Sequence, residues 1–161
     1  MNRSIHEAIL KMLEEAAIDY RHLTHEPTRT SAEAARVRGL SMRMGGKALL
    51  MKAGTGDRFV LVVLSAALKL NSNAVRRELG VDRLRFATLD ELKELTGLVP
   101  GAVPPFGAPI LPFPLYVDQS IAGNDRIAFN AGSLTDSIIM SVADYRRVAQ
   151  VERIVNVGAA K

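Results

Sequence analysis

With 161 residues, 48% of them hydrophobic, the chain is long enough for one core that buries about two thirds of its unfolded surface, and too short for two ordinary domains. It has no cysteine, which excludes disulfides, thiolate nucleophiles and sulfur-ligated metals and points to a reducing, cytoplasmic compartment. The formal net charge of +4 suits a polyanionic partner without specifying one.

In chain order, Ile5, Ala8, Ile9, Met12, Leu13 and Ala16 recur at helical spacing, which predicts an amphipathic helix over 4–16. Arg3, Glu7, Lys11, Glu14 and Glu15 interrupt the window Met1–Ala17, so it reads neither as a leader nor as a membrane span. Tyr20–Thr24 alternates as a short strand. Thr30-Ser31-Ala32-Glu33 has the form of a capping box and Gly39 that of a helix stop. Lys47–Ala53 and Arg58–Ala66 flank a glycine-rich turn as two strands, and the continuously apolar Phe59–Leu64 should be buried on both faces. Asn71 or Ser72 caps a helix running to Gly80, Val81–Ala87 reads as a further strand, and Thr88-Leu89-Asp90-Glu91 opens a helix that ends at Gly97.

Six of the seven prolines fall between Pro100 and Pro114, where missing amide donors and restricted predecessors prevent regular structure. The segment carries Val, Phe, Ile and Leu instead of Ser and charge, so we read it as an ordered wall and not a linker. Beyond it, Pro114–Asp118 and Arg126–Asn130 should be strands joined by a turn at Ala122–Asp125. Ile138–Ser141 follows as another strand, Ser141 caps a last helix to about Val148, and Ile154–Val157 closes the sheet as an edge. The alternation implies a single mixed α/β (α+β) domain over 1–161.

A search for chemistry leaves few groups. The histidines are His6, His22 and His25, and a separation of three along a strand sends His22 and His25 to opposite faces, so no histidine metal centre is expected. No Gly-x-Ser-x-Gly elbow marks a nucleophilic serine. Gly45-Gly46-Lys47 lacks the spacing of a phosphate-binding loop, and its lysine precedes a strand instead of a helix. What remains is a lysine at the mouth of an apolar strand, able to hold a phosphate or polarise a carbonyl; a strand-end lysine that snorkels to water is the plainer alternative.

Three stretches together resemble the YbaK family of aminoacyl-tRNA editing domains, which includes the editing domain of bacterial prolyl-tRNA synthetases. They are Gly46-Lys47-Ala48-Leu49-Leu50, the Gly-x-x-x-Pro loop Gly101-Ala102-Val103-Pro104-Pro105, and the late turn Phe129-Asn130-Ala131-Gly132-Ser133-Leu134-Thr135-Asp136; the likeness runs from about Tyr20 to Val148. It implies a compact domain around a curved, mostly antiparallel mixed sheet, and hydrolysis of the ester joining a wrongly attached amino acid to the tRNA 3′ end.

By that resemblance, Lys47 would hold the terminal adenosine and its phosphate, and main-chain groups around Gly101 would position water and the carbonyl. Ala102, Val103 and Pro105 would shape the amino-acid pocket, and His25 would stand at the rim. Asn130, where some relatives have histidine, would act as a positioning donor, since an amide is no base near neutral pH. Gly132, Ser133 and Asp136 complete the implied substrate-binding set, although a turn or helix cap would use Ser133 and Asp136 equally well. The implied partners are the acceptor end of an aminoacyl-tRNA and an aminoacyl-tRNA synthetase. No cofactor, DNA or membrane is expected. Two other readings stay open: a module of the same fold that binds tRNA or a synthetase without hydrolysis, and a hydrolase of free aminoacyl compounds.

Overall fold

In the computed structural model, which describes residues 4–161, six helices and ten strands alternate. The first helix, α1 (Ile5–Glu15), is capped by the Ser4 hydroxyl, which accepts from the Glu7 amide; residues 1–3 of the window read as free of a leader lie outside the described residues. Strand β1 (Tyr20–Thr24) falls where the alternation places it. Helix α2 (Ser31–Arg38) starts at Thr30, whose side chain accepts from the Glu33 amide, and stops at Gly39. The box is not reciprocal: the Glu33 carboxylate accepts from the Arg29 amide, one residue before the cap.

A 3-10 turn at Met42–Met44 leads into β2 (Gly46–Ala53), and β3 (Phe59–Ser65) returns antiparallel with Gly46 opposite Ser65 and Lys47 opposite Leu64. Strand β4 (Leu68–Leu70), unforeseen in sequence, precedes α3 (Ser72–Leu79), which Asn71 caps. Only Leu84–Phe86 of the predicted 81–87 strand forms β5, paired to the end of β2. Helix α4 (Leu89–Thr96) has the full reciprocal box between Thr88 and Glu91.

After the proline-rich stretch come β6 (Leu115–Asp118), the short α5 (Gln119–Ala122), β7 (Arg126–Asn130), β8 (Asp136–Ser141), α6 (Val142–Val148), β9 (Val151–Val155) and β10 (Gly158–Ala160). The strands form a five-stranded sheet ordered β5-β2-β3-β6-β9, a three-stranded sheet β1-β8-β7, and a pair β10-β4. The expected turn before β7 is present at 123–125, but it follows α5, and β6 and β7 lie in different sheets. The Asp118 side chain caps α5 and the chain crosses from one sheet to the other, while Asp118 also accepts from the Val157 and Gly158 amides at 2.6 and 3.1 Å. The predicted edge strand is β9, which pairs parallel to β6 and starts three residues earlier than expected. Most pairings are antiparallel, with β3-β6 and β6-β9 parallel, so the mixed, mostly antiparallel class holds.

The core explains why β3 is apolar throughout. Leu61 and Val63 face one cluster with Leu115, Val117, Phe106, Phe129 and Tyr145, whereas Val60 and Val62 face a second with Met51, Val75 and Tyr116. Burying each such side chain contributes about 1.5–3 kcal/mol, so both faces of the strand are held. The 97–114 segment has no strand or helix of its own, yet Ala102 through Gly107 are buried: it is a wall. Phe106 lies edge-on to Phe129 and Tyr145 at 5.3 and 5.5 Å, and the buried Tyr145 hydroxyl donates to the Pro105 carbonyl at 2.6 Å.

Candidate functional site

The strand opened by Gly46 passes close to β7: an added Cβ on Gly46 would lie 2.7 Å from Ile127 Cδ1 and would displace that side chain. A parallel bridge from Gly45 to Ala128 fixes the same approach. These contacts deliver Lys47 to the floor of a cavity of about 230 Å³, enclosed by α2, the 3-10 turn, the start of β2, β7 and the proline-rich wall. Lys47 and Gly101, placed together by the sequence reading, line this one cavity with Arg38, Val103 and Asn130.

The Lys47 ammonium donates to the Leu68 carbonyl at 2.6 Å, so one of its three protons is committed and two remain. Burial, and secondarily the charge of Lys161, hold it below the ordinary lysine value. Gly101 has φ +89°, a left-handed conformation that costs a side-chain-bearing residue about 1–3 kcal/mol, and an added Cβ would meet Leu134 Cδ2 at 3.2 Å. Its carbonyl accepts from Asn130 Nδ2 at 2.8 Å. Among the described residues, no hydrogen bond engages its amide.

Asn130 is the middle of a network that sequence reasoning missed. Arg38, in the last turn of α2, donates through Nη2 to Asn130 Oδ1 at 3.0 Å and through Nε to Ser137 Oγ at 2.9 Å. Burial lowers the Arg38 pKa to about 10, which leaves the guanidinium charged near neutral pH. His25 Nδ1 lies 2.8 Å from the Glu26 carbonyl, which can only accept. That nitrogen carries the hydrogen, and in the neutral ring Nε2 accepts from Ser137 Oγ at 2.8 Å. His25, Ser137, Arg38, Asn130 and Gly101 are thus one chain of contacts. Nothing local in the sequence singles out Arg38, because a cation in the last turn of a helix is commonplace. Ser137 could have been found by strand alternation, which turns it to the face opposite Asp136.

The remaining predicted residues stand behind or away from the cavity. Ala102 and Pro105 are buried in the wall, their carbonyls accepting from the Gly132 amide and the Tyr145 hydroxyl; of the pocket-shaping trio only Val103 reaches the cavity. Gly132 packs against α1, where an added Cβ would meet the His6 amide at 3.0 Å. The Ser133 hydroxyl accepts from the Thr135 amide at 3.0 Å and closes its own turn. Asp136 points away from the cavity, meeting His22 Nε2 of β1 at 2.8 Å and His6 Nε2 of α1 at 3.7 Å. Burial pushes the Asp136 carboxyl up, but the His22 hydrogen bond, the Ser133 hydroxyl and the two imidazoles outweigh it and leave a net lowering. The sequence reading weighed His22 only against His25 and did not foresee His6 as its neighbour. On the other side of Gly101, a second recess is lined by Leu50, Phe86, Leu92, Pro100 and Val103.

The cavity thus brings two half-buried cations, Lys47 and Arg38, beside a glycine in the left-handed conformation. Residues 25–148 match the aminoacyl-tRNA editing domain family, and this chain belongs to it. It is 34% identical over 155 residues to the multifunctional Ser/Thr-tRNA deacylase ProXp-y of Escherichia coli K12, covering 92% of this chain and 90% of that protein. It is 23% identical over 153 residues to the prolyl-tRNA editing protein ProX of Acetoanaerobium sticklandii, covering 93% of each. Among solved structures, the hypothetical protein APE2540 superposes with a TM-score of 0.82 at 25% identity, over 94% of this chain and 99% of that one. Among the described residues, no helix is long and apolar enough to cross a membrane.

Proposed function

We propose that this protein is a freestanding trans-editing deacylase, one domain over 1–161, which hydrolyses the ester between a wrongly attached amino acid and the 3′ end of a tRNA. The observation that carries the reading is the convergence of Lys47, Arg38 and Gly101 on one small cavity. Hydrolysis of an ester adds water to the carbonyl, places negative charge on its oxygen, and expels the ribose oxygen, which takes up a proton. The unengaged Gly101 amide is the donor for that oxyanion, and the Asn130 bond to the Gly101 carbonyl pins the peptide unit that follows it. The two remaining Lys47 protons take the terminal phosphate, and Arg38 supplies fixed positive potential behind Asn130. Attack uses water held by main-chain groups, and the chain has no cysteine to serve in its place.

At about 230 Å³ the cavity is below the ~300–1,000 Å³ usual for drug-sized ligands, which favours a small aminoacyl group. The likeness to a Ser/Thr-tRNA deacylase makes seryl and threonyl esters the first to try, with alanyl and cysteinyl esters beside them. The test is single-turnover deacylation of a panel of mischarged tRNAs, run in parallel on the matching aminoacyl-adenosine. Hydrolysis of at least one aminoacyl-tRNA, lost when the tRNA body is removed, supports the reading. Binding without turnover would make the protein a carrier, and equal rates on the minimal ester would make it a small-molecule hydrolase; either result overturns it.

A further inference from the structure

The face of β8 opposite Ser137 holds a cluster with no part in the reaction above. His6, near the start of α1, His22, in β1, and Asp136, in β8, each offer one donor atom, and the three lie within 4.8 Å of one another. The imidazole rings are 5.0 Å apart, centre to centre.

The hydrogen bonding sets the tautomers. His6 Nδ1 lies 2.9 Å from the Ala131 carbonyl, which only accepts, so Nδ1 carries the hydrogen and Nε2 of the neutral ring presents a lone pair. That lone pair lies 3.7 Å from Asp136 Oδ1, itself an acceptor, while His22 Nε2 approaches the same oxygen at 2.8 Å. Three lone-pair atoms converge with one proton, on His22, to share among them. A cation in place of that proton would satisfy all three.

We propose that His6 Nε2, His22 Nε2 and the Asp136 carboxylate form a binding site for a divalent transition-metal ion of the zinc class. Two neutral imidazoles and one carboxylate are the donors such an ion prefers over calcium or magnesium, and three protein ligands leave a fourth, tetrahedral position for water. With metal–ligand bonds of ~2.0–2.1 Å, tetrahedral neighbours stand ~3.4 Å apart. The His22–Asp136 contact would open by roughly half an ångström and the wider ones would close, within reach of side-chain rotation. The His6 Nδ1 bond to a main-chain carbonyl is the outer contact that orients a ligating histidine. The side chains are 19% (His6), 32% (His22) and 18% (Asp136) exposed, open enough for an ion to enter. Once bound, the ion would clip α1 to β1 and β8, behind the strand that carries Ser137.

The test is titration of zinc chloride into the full chain after chelator treatment, followed by calorimetry, with magnesium as the comparison ion. We expect one zinc per chain, no saturable magnesium binding, and at least a tenfold loss of zinc affinity in both His6→Gln and His22→Gln. Wild type without saturable zinc binding, or both variants binding as tightly as wild type, would overturn the site. If a variant does not fold, cobalt(II) added to wild type decides: intense visible bands of a four-coordinate ion support the site, and the spectrum of free hydrated cobalt refutes it. Binding of the metal alone is read throughout, so the outcome is independent of whether any ester is hydrolysed.

Discussion

The β2–β3 hairpin and the proline-rich wall of residues 97–114 meet at the same cavity but are built in opposite ways. The hairpin is regular: its register is set by backbone pairing and by apolar side chains on both faces, and the catalytic candidate it carries stands at its end. The wall has no ladder. It is held by isolated bonds at particular points, with Asn130 on the Gly101 carbonyl, Gly132 on Ala102 and Tyr145 on Pro105, and by the aromatic packing of Phe106. A ladder fixes where a side chain starts, whereas a wall pinned at single points can aim a main-chain amide that sheet pairing would have used.

The largest expected effect strikes the wall's anchor. Phe106→Ala leaves a cavity in a fully buried site and should cost about 3–5 kcal/mol of stability in urea unfolding; a change below 1 kcal/mol would mean the wall does not depend on that packing. Next comes Gly101→Ala, which forces a Cβ into a left-handed conformation and toward Leu134. Deacylation should fall roughly 100-fold or more, the scale of losing one oxyanion donor, while the circular dichroism spectrum stays native; retained activity would remove Gly101 from the mechanism.

Tyr145→Phe is the milder version, since it keeps the ring and leaves the Pro105 carbonyl without its donor, at about 1–2 kcal/mol. The same substitution should lower kcat more than it raises KM if the wall positions the reacting carbonyl. The smallest effect is on pH dependence. The Asp136 carboxyl is lowered in the folded protein, so its contribution is fully present above the unfolded aspartate value and is lost as pH falls through the lower folded value. Asp136→Asn should therefore flatten part of the stability loss of wild type on the acid side of pH 4, checked by urea unfolding across that range; identical slopes would mean the His22 contact carries no linkage.

Elements whose signals are local were legible in the sequence. The caps at Thr30, Asn71, Thr88 and Ser141 and the stops at Gly39, Gly80 and Gly97 are where short-range chemistry puts them, and β3 declared its double burial by composition. Strand partners were not legible: β6 and β7, adjacent in sequence, lie in different sheets, because the choice rests on long-range packing and not on the turn between them. The site divides likewise. Lys47 stood out as a charge at the mouth of an apolar strand, whereas Gly101 was indicated by the Gly-x-x-x-Pro loop of the family resemblance. Arg38, Ser137 and the pairing of His6 with His22 break none and emerge only when α1, α2 and β8 come together.

The central claim is that the Lys47 cation grips the acceptor end of the substrate, and single-turnover deacylation of seryl- or threonyl-tRNA by wild type and Lys47→Ala tests it most directly. We predict a loss of roughly 100-fold in kcat/KM with the fold unchanged by circular dichroism. Deacylation by Lys47→Ala at the wild-type rate would contradict the account.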